Sequence, residues 1–267
     1  MEIFSNQDCM LGMAAMDAES ADVIVTSPPY NLGTKYSTYK DDMSWEDYMQ
    51  WMRRWAVAVN RVLSSQGSLF IVFRGGPSNY WAPFHIAQVI GDCGGFHLQN
   101  VIHWIKSITV KDKSIGHFKP INSPRFINDC HEYVFHFTKT GKIPLDRLAV
   151  GVPYQDKGNL TRGNRGRRGD IRCRGNNWFI PYETIQNRNK NRPHPATFPV
   201  RLAEWCILLS GVEHCRLVMD PFGGIGTTVV AALNLGVDSI SFEIDPQYCE
   251  EARKRIARHK QKPLVNP

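Results

Sequence analysis

The sequence predicts an α/β fold, on three observations. Short apolar runs of strand length alternate with amphipathic segments of helix length through most of the 267 residues. One apolar run, Val23-Ile24-Val25-Thr26, stops abruptly at Ser27-Pro28-Pro29-Tyr30. Near the other end of the chain, "VMDPFGGIGTTVVAALNLG" (Val218–Gly236) passes from a strand pattern through a glycine-rich turn into a helix pattern.

The elements follow in order. Glu2–Asn6 reads as a short strand. Asp22–Thr26 is a stronger one, and the prolines end it by removing backbone donors. Ser44–Leu63 has helical periodicity, with Ser44 as N-cap, Asp47 three residues on and Gly67 beyond its end. Ser68–Phe73, apolar from Leu69 onward, reads by composition as a fully buried strand. Tyr80–Ile90 reads as a helix closed by Gly94-Gly95, and Leu98–Ile105 and Glu132–Phe137 read as strands. From Gly141 to Pro193 the periodicity fails. This stretch, with "RGNRGRRGDIRCRGNN" at its centre, predicts loop or a small irregular subdomain. Regular structure resumes with helix Pro199–Leu209, strand Arg216–Met219, helix Gly226–Leu235, strand Ser239–Glu243 and helix Gln247–Lys260. The chain thus divides into one domain made of 1–140 and 194–267, with 141–193 inserted between its halves.

Hydrophobic content of 42% and charged content of 21% are ordinary for a soluble protein. No apolar run reaches the roughly 18–20 residues that span a bilayer, and the N-terminus lacks a signal-peptide pattern, so a cytoplasmic location is expected. The seven cysteines are scattered, odd in number and never spaced C-x-x-C. That argues against a disulfide framework and against a metal cluster, and for reduced thiols in or near a core. The net charge of +7 is concentrated: Lys139–Arg192 holds thirteen Lys or Arg against four acids, leaving the remainder slightly acidic. One segment therefore offers a polyanion surface. Arg162, Arg165, Arg167, Arg168, Arg172 and Arg174 are its candidate phosphate contacts, with base-edge contacts open to Arg or Asn; a merely solvated charge run is the plain alternative. Trp178, Phe179 and Tyr182 suit a local core better than base stacking.

The glycine-rich turn has the chemistry of a nucleotide cradle. Gly224 and Gly226 permit a tight turn and close backbone approach, and Glu243, ending the next strand about twenty residues on, can accept both hydroxyls of a ribose. Such turns also carry glycine for steric reasons alone. No Gly-Lys-Ser/Thr follows, and Asp220 before the turn would repel a pyrophosphate. It would instead pair with an ammonium, so a ligand with an adenosine end and a zwitterionic amino-acid end fits: S-adenosylmethionine.

Taken together, Ser27-Pro28-Pro29-Tyr30 and Phe222-Gly223-Gly224-Ile225-Gly226 resemble the two marks of DNA amino-methyltransferases, D/N/S-P-P-Y/F/W and F-x-G-x-G. Their order, catalytic motif first and cofactor motif last, is similar to that of the permuted β class. "HPATFP" (His194–Pro199) resembles a further cofactor motif of that class, and the likeness extends from about Glu2 to Arg258. The resemblance implies a Rossmann-like methyltransferase sheet, mostly parallel with one antiparallel strand, carrying an inserted basic recognition segment. Glu2–Asn6 would lie beside Ser239–Glu243, and Asp22–Thr26 beside Arg216–Met219. It implies a cofactor site of Asp8, His194, Pro195, Phe198, Asp220, Pro221, Phe222, Gly224, Gly226, Thr227, Glu243 and Asp245. Asp8 would meet the adenine amine and His194 the methionine end; a solvated loop aspartate and an ordinary histidine before a helix are the alternatives. Asn31 would orient a loop, Gly33–Met43, over the pocket.

The catalytic set implied is Ser27, Pro28, Pro29 and Tyr30. An exocyclic base amine is a poor nucleophile because its lone pair is delocalised into the ring. The Pro28 carbonyl and the Ser27 hydroxyl would accept its two N–H bonds and free that lone pair, while Tyr30 stacks on a base flipped out of the duplex. A proline-terminated strand with an incidental tyrosine is the bland reading. Cytosine-C5 chemistry needs a Pro-Cys dipeptide, which this chain lacks. Serine at the first motif position favours N4 of cytosine. N6-adenine methylation, N4-cytidine methylation of ribosomal RNA and a non-catalytic DNA-binding subunit are the alternatives. The implied partner is DNA, with RNA as the rival polymer; a homodimer and a cognate restriction endonuclease are compatible, and neither metal nor membrane is expected.

Overall fold

The computed structural model describes residues 1–34, 36–116, 121–156, 170–181 and 197–261. The amino-terminal half contributes β1 (Glu2–Asn6), α1 (Cys9–Ala14), β2 (Ala21–Thr26), α2 (Trp45–Val62), β3 (Leu63–Phe73), α3 (Ala82–Gly94) and β4 (His97–Ile105). A small hairpin, β5 (Ser107–Val110) and β6 (Lys113–Gly116), precedes β7 (His131–Thr138). Then come β8 (Val152–Pro153), β9 (Ile171–Arg172) and β10 (Asn177–Phe179). The chain finishes with α4 (Val200–Leu209), β11 (Leu217–Asp220), α5 (Thr227–Asn234), β12 (Asp238–Glu243) and α6 (Pro246–Lys260).

The main sheet has eight strands in the order β1-β12-β11-β2-β3-β7-β4-β10. β7 is antiparallel to both its neighbours, and the other pairings are parallel. The two expected neighbours are present: Glu2 pairs with Ser239 and Asn6 with Glu243, while Val23 pairs with Val218. Chain order reverses between β11 and β2, since α5 leads outward to β12 and α2 leads the other way to β3. That is the switch point where open α/β sheets bind ligands.

Each face of the sheet is covered. Met52, Trp55, Val59 and Val62, all wholly buried on α2, pack with Phe73, Phe137 and Met219 on one side. Leu202, Cys206 and Ile207 of α4 pack with Val25, Phe70 and Val218 on the other. Ser44 caps α2 as expected, accepting from the Asp47 N–H at 3.1 Å. α3 starts two residues later and ends later than the sequence suggests, because Pro83 fits its first turn and Gly95, at φ 70°, supplies the left-handed stop.

Besides the β5–β6 hairpin and the short pair β8–β9, two elements absent from the sequence reading bear on the packing. β10 lies inside the stretch read as loop, yet it extends the sheet, with Trp178 opposite Trp104 and buried against Trp205. The other is α1, whose Gly12 sits on the Phe242 ring. A Cβ there would stand 2.5 Å from that ring. Helix propensity favours alanine over glycine by about 1 kcal/mol, but overpacking a buried ring costs about 1–3 kcal/mol. Gly12→Ala is therefore expected to lower the melting temperature in thermal unfolding, against its propensity. No described helix is long and apolar enough to cross a membrane.

Candidate active site

The carboxyl ends of β1, β12, β11, β2, β3 and β4 share one sheet edge. Because β7 runs the other way, its first residues, His131 and Glu132, reach that same edge. A cavity of about 1020 Å³ opens there, and Asp8, Ser27–Tyr30, Glu132, Asp220–Gly224 and Glu243 all line it.

At one end stands the glycine-rich turn. Gly224 and Gly226 adopt φ 51° and 76°, the left-handed region that glycine enters without penalty. Glu243 accepts from the Gly224 N–H at 2.8 Å through one carboxylate oxygen and from the Asp245 N–H at 2.9 Å through the other. Burial pushes its carboxyl up to about 7, against those two N–H groups, which pull it down. Asp8 is the N-cap of α1, accepting from Met10 and Leu11. Asp245 is the N-cap of α6. Pro221, Thr227 and Phe198 also line the cavity, and the Thr227 hydroxyl accepts from Arg255 at 2.9 Å. Phe222 packs between Trp51 and Trp55, with ring centroids 5.7 and 5.8 Å away. His194 and Pro195 lie outside the described residues.

Asp220 lines the cavity with its carboxylate already engaged by the protein. Its carboxylate is turned into the sheet, where it accepts from the Thr26 and Thr228 hydroxyls, each at 2.7 Å, and from the Phe222 N–H at 3.0 Å. Only 2% of the residue is exposed, and burial raises its carboxyl above the usual range. These contacts make it a brace joining β2, β11 and α5 at the wall of the cavity that it lines.

At the other end, Tyr30 packs on Phe73 with centroids 4.2 Å apart. Its hydroxyl receives a hydrogen bond from Ser27 Oγ at 2.9 Å and donates to Glu132 Oε2 at 3.1 Å. Burial first, and the charge of Glu132 second, hold that phenol well above its ordinary value. The Tyr48 hydroxyl donates to the Pro29 carbonyl at 2.6 Å, fixing the double proline from behind, and Pro28 is buried. Glu132, Lys106, Arg74 and Asp129 line this end too. Sequence reasoning singles out none of these four. The missing signal is the direction of β7: once that strand is known to be antiparallel, an acid at its start belongs at the site.

The loop after Tyr30 begins with Asn31 at φ 53°, in the left-handed region. Asp41 gathers the backbone N–H groups of Asn31, Leu32 and Thr34, and the Asn31 side chain donates to Met43 O at 2.9 Å. Ser37 and Thr38 both donate to Asp245, so the loop is tied to the cofactor-side helix. Tyr36, Thr38 and Tyr39 accordingly line the cavity.

Among the arginines, Arg162, Arg165, Arg167 and Arg168 lie outside the described residues. Arg172 is exposed on β9. The Arg174 guanidinium stacks 4.1 Å over Trp205 and donates to Val150 O at 2.8 Å. It anchors the insertion to α4.

Residues 21–254 match the family model described as DNA methylase. The type II methyltransferase M.HpaI of Haemophilus parainfluenzae is 30% identical over 244 residues, covering 90% of this chain and 69% of that protein. M.BglII of Bacillus subtilis is 28% identical over 257 residues, covering 92% of this chain and 66% of that protein. Among solved structures, the PvuII DNA methyltransferase (cytosine-N4-specific) superposes with a TM-score of 0.69 at 21% identity, covering 100% of this chain and 90% of that one. A putative DNA modification methylase from Thermus thermophilus, complexed with S-adenosyl-L-methionine, gives 0.64 at 24% identity, covering 98% and 96%. With the two motifs on one cavity and the family match over nearly its whole length, the chain belongs to the N6/N4 DNA methylase family, as a β-class, S-adenosylmethionine-dependent amino-methyltransferase.

Proposed function

We propose that this enzyme methylates N4 of cytosine at a specific DNA site, acting on a base flipped out of the duplex. The observation that carries the reading is that Ser27–Tyr30 and the Gly224–Glu243 cradle, about two hundred residues apart in sequence, line one cavity.

The residues at the β11–β12 end fit the methyl donor. Two left-handed glycines bring backbone close to the cavity, and Glu243 presents a half-buried carboxylate whose ribose-facing role is to accept hydroxyls. Asp8 and Phe198 line the same cavity, and Asp245 shapes the rim through its hold on Ser37 and Thr38. When bound, the donor supplies an electrophilic methyl group on a sulfonium, so the protein need only place the amine in line. Ser27 and the Pro28 carbonyl accept the amine's N–H bonds; Tyr30 holds the base plane.

Cytosine is favoured on two grounds. Ser27 is a neutral acceptor, and the cations Arg74 and Lys106 line the same cavity. Beside N4, cytosine carries two further acceptors, N3 and O2, whereas adenine beside N6 carries N1 and then a C–H. The PvuII enzyme named cytosine-N4-specific shares the fold. Residues 141–193 serve as the target-recognition segment, with Arg172 and the run at 162–168 on phosphates. All seven cysteines are free, which suits work in the reducing cytoplasm.

Incubation with labelled S-adenosylmethionine and separate DNA and RNA pools, followed by nucleoside analysis, tests this. N4-methylcytosine in DNA is expected. N6-methyladenine would reassign the base, and label confined to RNA would overturn the polymer.

A further inference from the structure

We infer that Glu132 is a positioning residue that sets which way the Ser27 hydroxyl points, and so makes Ser27 an acceptor for the target amine. This rests on the site reading above and goes beyond it, because no motif contains Glu132.

Hydrogen-bond direction carries the inference. Glu132 is 8% exposed at the start of β7. Its Oε1 faces Lys106 Nζ and, at 3.9 Å, Arg74 Nε; Arg74 in turn reaches Asp129 at 3.7 Å. A carboxylate held by two cations has only lone pairs to offer. Its Oε2 therefore fixes the Tyr30 proton toward itself, at 3.1 Å. The Tyr30 oxygen then has only acceptance to offer Ser27, whose hydroxyl donates to it at 2.9 Å. With that proton committed, Ser27 Oγ turns lone pairs alone to the cavity. Left free to rotate, a serine hydroxyl can donate to the amine nitrogen and occupy the lone pair that must attack the methyl group. Donation thus runs one way, from serine to phenol to carboxylate, and the two cations hold the carboxylate at the end of that chain.

The sign can be reversed with a near-isosteric change. In Glu132→Gln, Lys106 and Arg74 hold the amide oxygen, which forces the NH₂ toward Tyr30. Tyr30 must then accept, its own proton turns to Ser27, and the Ser27 proton turns to the cavity. A reversed charge-assisted hydrogen bond lowers kcat by about 10–100-fold, while KM for DNA and binding of S-adenosylhomocysteine stay within about twofold.

A double-mutant cycle distinguishes this from simple loss of an ion pair. Tyr30→Phe keeps the ring and cuts the chain at its middle, so it too lowers kcat, and in that background Glu132→Gln costs less than about threefold. Full multiplicative losses would assign Glu132 a purely structural role and overturn the inference. So would a Gln variant with wild-type kcat. Should the Gln variant not fold, Tyr30→Phe alone decides: unchanged kcat overturns the chain. A wild-type protein that methylates no DNA sinks the functional reading first, whereas an active wild type with an indifferent Gln variant sinks this inference alone.

Discussion

Alanine at Tyr30 is expected to reduce methyl transfer by about 10²–10³-fold while S-adenosylhomocysteine still binds within about threefold of wild type. Loss of base stacking is worth about 1–3 kcal/mol, and loss of the phenol also frees the Ser27 hydroxyl, adding about 1–2 kcal/mol. Cofactor binding is spared because Glu243 and Gly224 sit on β12 and the β11 turn, with no hydrogen bond to Tyr30. Pro28→Ala acts on the same end by loosening the carbonyl between Ser27 and Pro29. The Tyr30 ring packs on Phe73 at 4.2 Å, so alanine also costs about 2–4 kcal/mol of stability. Circular dichroism melts must therefore accompany single-turnover assays, run below the variant's melting point. Wild-type turnover in either variant would remove these residues from the site.

How much of this is legible in the sequence depends on whether a signal is local. The strand Asp22–Thr26 can be read because β-branched residues run into a double proline, and α2 because Ser44, Asp47 and the apolar stripe agree. The neighbours β1 with β12 and β2 with β11 come from resemblance in motif order, which composition alone would not supply. Side-chain direction is not legible. Asp220 stands where an ammonium partner is expected, but two threonines, Thr26 and Thr228, converge on it from elements 194 and 8 residues away. Nothing near Asp220 in sequence announces Thr26. Arg174 groups with the phosphate contacts on charge alone, and its stacking on Trp205 depends on packing across α4. Glu132 is hidden for a topological reason: its place at the site follows from β7 running antiparallel, and strand direction is a property of the whole sheet.

The loop 31–43 links the two ends of the site. Its base is fixed by Asp41 and Asn31 next to the catalytic motif, and its crest is tied by Ser37 and Thr38 to Asp245 at the head of α6. Asp245 also donates its backbone N–H to Glu243. The Ser27–Tyr30 end of the cavity and its Gly224–Glu243 end are thus mechanically joined, which favours ordered assembly of one cavity over two independent sites.

Glu243 gives the second large effect, on cofactor affinity. Glu243→Ala is expected to weaken S-adenosylhomocysteine binding by about 10²–10³-fold, because the two charge-assisted hydrogen bonds proposed to the ribose hydroxyls would vanish and the Gly224 N–H loses its partner. The pH dependence is sharper evidence of mechanism. Burial raises this carboxyl to about 7, so over the range just below 7 it is protonated in the folded protein and ionised in the unfolded chain. The folded state then binds the extra proton, and stability rises as pH falls from about 7 toward the ordinary carboxylate value. Affinity should move the opposite way, since only the carboxylate accepts both hydroxyls: it falls below about pH 7, approaching tenfold per pH unit. A calorimetric titration at about pH 6 and about pH 8 therefore separates loss of ligand from loss of fold, and Glu243→Gln should flatten the profile while keeping the fold. An affinity unchanged across that interval would mean that Glu243 does not hold the ribose.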